Sequence, residues 1–425
     1  MKNNRYPGPE TIYRHTLDNG ITVLLYENPA SQTVSIEGIV RAGALSEPDS
    51  KAGLADFTSD LLVRGTRART FETISETLES IGASLSFGSG RHTTSFSAYC
   101  LTEDLETVLD LTADTLCRPI FPAEQVEKLR GQIITGLQMR ANDTRRMARL
   151  TFQELAYKDH PYHRSVSGYV DTIPTISRDD LAGFHAQHYG PVGMILTVVG
   201  GVQTGEILRR LERIFGGWQN DHQSLTGIAP DAKRPTGLIR QNVPMPDKHQ
   251  ADIILGLPGP RRSMPDYLDA SLMNTILGVF GMMGRIGQSV REEQGLAYYA
   301  GSRLEGGLGP GAWTASAGVA PDNIEKAIDS IRHEIRRMMD EPVSEEELAD
   351  SQAYRTGSLP MSLETNSGIA DILMDMEFYD LGLDYLQRYT EILNGITVER
   401  IQAAARNYLS ADHLAIAVSG PVEVL

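Results

Sequence analysis

The sequence predicts an α+β protein of two homologous domains, each a mixed, mostly antiparallel sheet with helices packed on one face. Three observations predict it: a repeat of long period, β-hairpin signals near the start, and amphipathic helices grouped after the strands rather than alternating with them.

The repeat rests on three anchors. Leu105, Val108, Leu109 and Leu116 recur at helical spacing, and Ile324, Ala327, Ile328 and Ile335 repeat that phase 219 residues later. Tyr189 precedes an apolar strand that Gly201 follows, and Tyr408 and Gly420 frame a matching strand at the same offset of 219. The segment 220–236 is polar and contains Pro and Gly, so domains are expected over 1–222 and 238–425.

Within the first copy, two apolar runs flank Asp18-Asn19-Gly20, and Asn-Gly favours the positive φ of a tight hairpin turn. The run SQTVSIEGIV reads as a third strand. A second hairpin is expected where Ser95, Ser97 and Tyr99 alternate with Phe96 and Ala98. Helices are expected near 51–64, 71–81, 103–116 and 122–147, then one capped by Ser177 before a strand at 195–199. In the second copy, a helix at 268–277 precedes the segment bearing Arg291, and Gly306–Gly311 reads as a hairpin loop before a strand at 313–319.

Composition narrows the function. The chain has 425 residues, 41% hydrophobic and 22% charged, which is ordinary globular usage. A net charge of −16 argues against nucleic acid, whose phosphates need clustered Lys and Arg. Cys100 and Cys117 are too few for a disulfide framework or a tetrahedral thiolate site, and reduced cytoplasmic thiols are the expectation. No secretion signal and no membrane-spanning stretch is read.

The most specific segment runs from Gly53 to Thr66, Gly-Leu-Ala-Asp-Phe-Thr-Ser-Asp-Leu-Leu-Val-Arg-Gly-Thr. Leu54, Phe57 and Leu61 share one helix face, and the i,i+4 pair Asp56 and Asp60 shares another. This frame resembles the active-site helix of the pitrilysin/insulinase metallopeptidases, the inverzincins, and the likeness runs through the whole chain. In that family the helix carries H-x-x-E-H, two zinc-binding His and a Glu that deprotonates the metal-bound water. Here the corresponding positions are Asp56, Ser59 and Asp60. The family's third ligand is a Glu on a later helix, and the matching residue is Gly136, 76 positions after Asp60. The resemblance therefore implies a degenerate zinc site: no metal held by this chain, and no peptide hydrolysis by this chain alone.

A second stretch, Val290-Arg291-Glu292-Glu293-Gln294-Gly295-Leu296-Ala297-Tyr298, resembles the family segment in which an Arg and a Tyr seven residues apart reach toward the metal. The resemblance implies that Arg291 and Tyr298 hold the substrate carbonyl and stabilise the charge that develops on it. From the residues alone, Arg291 pairing with Glu292 or Glu293 and Tyr298 as an ordinary strand residue stay open.

Some bacterial members of the family work as heterodimers, similar to the mitochondrial processing peptidase, with zinc on one subunit and the Arg/Tyr pair on the other. The expectation is thus a non-catalytic subunit that supplies Arg291 and Tyr298 to a homologous zinc-bearing partner acting on unstructured peptides. The alternative is an assembly or peptide-binding protein of the same fold with no part in proteolysis.

Three other patterns read as structural. His160/His163 and His185/His188 form close pairs but lack a carboxylate or thiol to complete a metal site. Gly278, Gly281, Gly284 and Gly287 do not match a nucleotide-binding loop, and the resemblance places a flexible connection there. Met273, Met282, Met283, Met338 and Met339 read as core filling.

Overall fold

The computed structural model describes residues 6–279 and 284–424. Two compact units emerge, each organised around one sheet.

The first sheet comprises β1 (Ile12–Thr16), β2 (Thr22–Glu27), β3 (Thr33–Val40), β4 (Ser84–Ser89), β5 (Thr94–Leu101) and β6 (Ile195–Gly200). Their order is β1-β2-β6-β3-β5-β4, antiparallel except for the parallel β2–β6 pair. Asn19-Gly20 turns the chain between β1 and β2 as expected. Gly20 takes φ 95°, and the Asn19 amide donates to the carbonyls of Phe215 and Trp218. Along β5, Thr94, Phe96, Ala98 and Cys100 are buried while Ser95, Tyr99 and Leu101 are exposed, the alternation read from sequence. The helices of the first half are α1 (Leu54–Leu61), α2 (Phe71–Ser80), α3 (Leu105–Cys117), α4 (Ala123–Ala141), α5 (Thr144–Ala156), α6 (Arg178–His188) and α7 (Thr204–Phe215).

The second sheet comprises β7 (Ile239–Pro244), β8 (Ala251–Pro258), β9 (Ala297–Leu304), β10 (Ala312–Val319) and β11 (Ala415–Gly420), in the order β7-β11-β8-β10-β9. Only the β7–β11 pair is parallel, so it repeats the plan of β2-β6-β3-β5-β4. The accompanying helices are α8 (Tyr267–Asn274), α9 (Arg285–Gly287, one turn), α10 (Ile324–Asp340), α11 (Glu345–Ser362), α12 (Asn366–Phe378), α13 (Tyr385–Asn394) and α14 (Val398–Tyr408).

The repeat has two adjustments. Helices α3 and α10 begin at the expected offset, each after a short 3-10 turn. The glycine equivalent to Gly420, however, is Gly200 and not Gly201. Gly200 and Gly420 take φ of 153° and 155°, and each is pressed against the neighbouring strand where a Cβ would collide. The second half therefore carries one extra residue between its tyrosine and its glycine.

The contiguous ranges 1–222 and 238–425 do not coincide with the compact units. The first unit is Met1–Thr135, Ser165–Gly227 and Ser358–Tyr389; the second is Gly136–Arg164, Ile228–Gly357 and Thr390–Leu425. Each half thus lends a helix to the other sheet. The expected helix over 122–147 is two helices, because Asp143 caps a new one by accepting from the Arg146 amide at 2.8 Å. That new helix, α5, packs on β7, β8 and β11, while α12 packs on β3 and β6.

The α+β two-domain class stands. In addition, the central strands are covered on both faces: β8 and β11 are buried along their whole length. A helix exchanged between halves explains how a half-sheet gains a second cover.

The expected helix at 268–277 continues from α8 into a π-helical stretch, Thr275–Val279. The glycine-bearing connection expected next falls on 280–283, with Gly281, Met282 and Met283, and lies outside the described residues. Met273 and Met338 are fully buried in the core. Among the described residues no helix is long and apolar enough to cross a membrane.

Candidate functional site

Helix α1 is set by its first turn. Gly53 precedes it with φ 99°, and a Cβ there would meet Ile173 Cδ1 at 2.7 Å. The buried Glu47 carboxylate accepts from the amides of Gly53 (2.9 Å) and Ala55 (2.8 Å), so it supplies the cap that a glycine cannot. Leu54, Phe57 and Leu61 are buried, and the Arg130 guanidinium lies 5.3 Å from the Phe57 ring centre while donating to the Ile173 carbonyl at 2.6 Å.

On the polar face, Asp56 and Asp60 are half-buried. Burial pushes the Asp56 carboxyl up to about 7 and the nearby Asp60 charge adds to the rise, while hydrogen bonds from Ser167 and the Ser89 backbone oppose it. Burial likewise raises Asp60, against the pull of Arg64. Arg64 itself is held by Gln132 at 2.9 Å and lies 5.3 Å from the Phe71 ring centre. Burial, and then the two aspartate charges, raise the Tyr189 phenol, which shares a 3.0 Å hydrogen bond with Thr94.

Zinc chemistry needs three or four nitrogen, sulfur or carboxylate donors in their charged or metal-ready state. Ser59 is fully buried, and its hydroxyl donates to the Asp56 carbonyl at 2.8 Å. Asp56 is biased toward its neutral form. Gly136, on an exposed part of α4 with open space beyond its Cα, offers no ligand. These residues do not make up a zinc donor set, and no group of three or more His, Cys, Asp or Glu placed to hold a metal occurs among the described residues.

Arg291 lies on a second π-helical stretch, Gln288–Glu293, anchored by buried Val290 and Leu296. Gly295, at φ 59°, turns the chain into β9, with its amide on the Arg291 carbonyl at 3.1 Å. The Arg291 side chain is exposed, its Nε 3.6 Å from the Glu292 carboxylate. That is the local ion pair which spacing left open, and exposed pairs of this kind are weak.

Tyr298 is 73% exposed. Ala297 faces Val319 and Tyr299 faces Gly318, which leaves Tyr298 as the unpaired residue of a β-bulge. The Tyr298 ring stands in solvent, whereas Tyr299 is half-buried. The Tyr299 hydroxyl donates to Asp252, and the Arg145 guanidinium stacks 4.5 Å from its ring.

The histidine pairs are tied to backbone. His160 Nε2 lies 3.0 Å from the Pro230 carbonyl, His163 Nδ1 2.9 Å from the His160 carbonyl, His185 Nε2 2.8 Å from Leu116 and His188 Nδ1 2.7 Å from Ser224. Burial lowers His185 to about 4. Sequence reasoning passed over Glu47 and Asp252. A charged residue opening the apolar run ADIILGLP was the available sign for the second.

Residues 22–169 match the model of the insulinase family (peptidase family M16), and residues 175–354 match that of the peptidase M16 inactive domain. An uncharacterized zinc protease of Mycobacterium leprae is 26% identical over 410 residues, covering 96% of this chain and 92% of the relative. One from Rickettsia bellii is 28% identical over 348 residues, covering 82% and 83%. A peptidase M16 inactive domain from Pseudomonas fluorescens has the same fold, with TM-score 0.90 at 23% identity, covering 97% of this chain and 98% of that one. A protease from Helicobacter pylori also has TM-score 0.90, at 19% identity, covering 97% and 100%. The two family models meet almost end to end along the sequence, and the chain belongs to the M16 (insulinase) peptidase family.

Proposed function

We propose that the chain is the zinc-less subunit of a heterodimeric M16 peptidase, supplying Arg291 and Tyr298 to a homologous, zinc-bearing partner that cleaves unstructured peptides. The observation that carries this reading is the exposure of both side chains on a well-anchored segment; the donors on α1, which do not fit zinc, agree with it. A guanidinium and a phenol presented to solvent suit the carbonyl of an incoming peptide and the oxyanion that forms from it. The metal, the water it activates and the general base belong to the partner, and this chain adds charge stabilisation and substrate orientation. We place the protein in the cytoplasm, where Cys100 and Cys117 stay thiols; both are free, and burial pushes each up to about 12.

The test is to assay peptide cleavage by this chain, by a co-expressed H-x-x-E-H homologue from the same organism, and by the two mixed. Activity that appears or rises strongly only on mixing supports the reading. Full activity of the homologue alone, unchanged by this chain, makes the protein a binding or assembly member of the family instead.

A further inference from the structure

Arg291 stands on a π-helical stretch and Tyr298 on β9, and the chain that joins them is held from outside. A π-helix is a rare backbone choice, so a stretch of it persists where its surroundings fix it. Three kinds of contact do so here. Ahead of the stretch, the Arg285 guanidinium grips the Glu347 carboxylate of α11 through Nε at 2.7 Å and Nη2 at 2.9 Å. Val290 and Leu296 are buried, and the Leu296 amide donates to the Val290 carbonyl at 3.0 Å. Gln294 supplies the third. Its Nε2 donates to Ser289 Oγ at 3.3 Å and to Ser330 Oγ of α10 at 3.0 Å. The Ser330 hydroxyl donates in turn to the Lys326 carbonyl at 2.8 Å, which fixes its oxygen on α10.

The spacing of these bonds matters. On an α-helix, side chains three or four residues apart face each other, and those five apart do not. Here two pairs five apart are bonded: Ser289 with Gln294, and Gln288 with Glu293 at 3.1 Å. The wider turn of a π-helix, closed by i→i+5 bonds, brings such residues together. The Gln288–Glu293 pair is exposed, and water competes for both groups. The Gln294 bonds are partly buried and reach a separate helix, so they tie the wide turn to the body of the unit.

We infer that Gln294, three residues after Arg291 and four before Tyr298, is the positioning residue of that pair. It holds the wide turn that sets where the Arg291 guanidinium stands relative to the Tyr298 hydroxyl. The inference rests on the function proposed for those two side chains. Without the Gln294 amide the turn is free to tighten toward α-helical spacing, which rotates Arg291 about the helix axis. The buried Val290 and Leu296 keep the segment folded meanwhile. A displacement of about 1 Å in a group that meets the reacting atoms costs on the order of 10²-fold in rate.

The experiment measures steady-state peptide cleavage by complexes of the full chain with its H-x-x-E-H partner, carrying Gln294→Ala, Arg291→Ala or both. Gln294→Ala is expected to lower kcat about tenfold or more while KM, assembly and melting temperature change little, because a misplaced cation is missed most in the transition state. In the Arg291→Ala background the same change is expected to cost almost nothing, since the group it positions is gone. Ser330→Ala removes the α10 end of the tether, is expected to reproduce the loss, and decides if Gln294→Ala does not fold. A Gln294→Ala loss as large with Arg291→Ala as without it overturns the positioning role. So does wild-type activity in both tether variants while Arg291→Ala is impaired, and either result leaves the proposed function standing. An Arg291→Ala complex with full activity overturns both.

Discussion

Asp56 and Asp60 are half-buried on a helix whose start is locked by Glu47, while Arg291 and Tyr298 stand in solvent on a short π-helical turn and a bulge. The first pair bears on stability: its carboxyl groups are driven toward the neutral form by the surroundings. The second pair packs against little, so the fold asks nothing of its particular side chains. The two places thus separate what keeps the helix folded from what is presented to another molecule.

The largest expected effect tests the locked side of that contrast. Glu47→Ala leaves the amides of Gly53 and Ala55 without their acceptor, inside a buried turn. A loss of about 3 kcal/mol is expected, read from urea unfolding. A loss below about 0.5 kcal/mol would show that α1 is set by its apolar face alone.

Next is the pH dependence. The folded-state values of Asp56 and of Glu37 are both raised to about 7. For Glu37 the cause is burial first, opposed by the Ser97 hydroxyl and reinforced by Asp371 of α12. Raised acids favour the fold while neutral, so their contribution is complete below the unfolded values near 4 and is lost as pH rises through about 7. From these two groups stability should therefore fall between about pH 4 and 7, offset in part by His185, whose lowered value adds stability as pH rises toward about 6.5. Asp56→Asn should flatten the fall and add on the order of 1 kcal/mol at pH 8, allowing for partial exposure. A stability that rises over this window contradicts the account of the polar face.

The smallest effect is on the other side of the comparison. Arg291→Ala and Tyr298→Phe should each change stability by less than about 0.5 kcal/mol, since the one ion pair involved is exposed and long. A larger loss would mean that these side chains serve the fold.

Much of this was legible in the sequence because it is local or periodic. The Asn19-Gly20 turn, the alternation along β5, the phase of α3 and α10, and the frame around Asp56 all depend on residues close in the chain. The end of α4 was legible in principle, since Asp143-Thr144 is a helix-start signal, but the long apolar pattern masked it. The exchange of α5 and α12 between units was not, because it is decided by which sheet buries them. The unpaired, exposed place of Tyr298 goes with a register slip against Val319, more than twenty residues away, and no local pattern announces it. The one-residue shift from Gly201 to Gly200 likewise shows only when strands are paired.

The most direct measurement is steady-state peptide cleavage by the complex of this chain with its H-x-x-E-H partner, comparing wild type with Arg291→Ala and Tyr298→Phe. The account predicts unchanged melting temperature and assembly, with kcat/KM reduced about 10²–10³-fold for Arg291→Ala and less for Tyr298→Phe. Full activity of the Arg291→Ala complex would contradict the claim that this chain contributes to the chemistry of its partner.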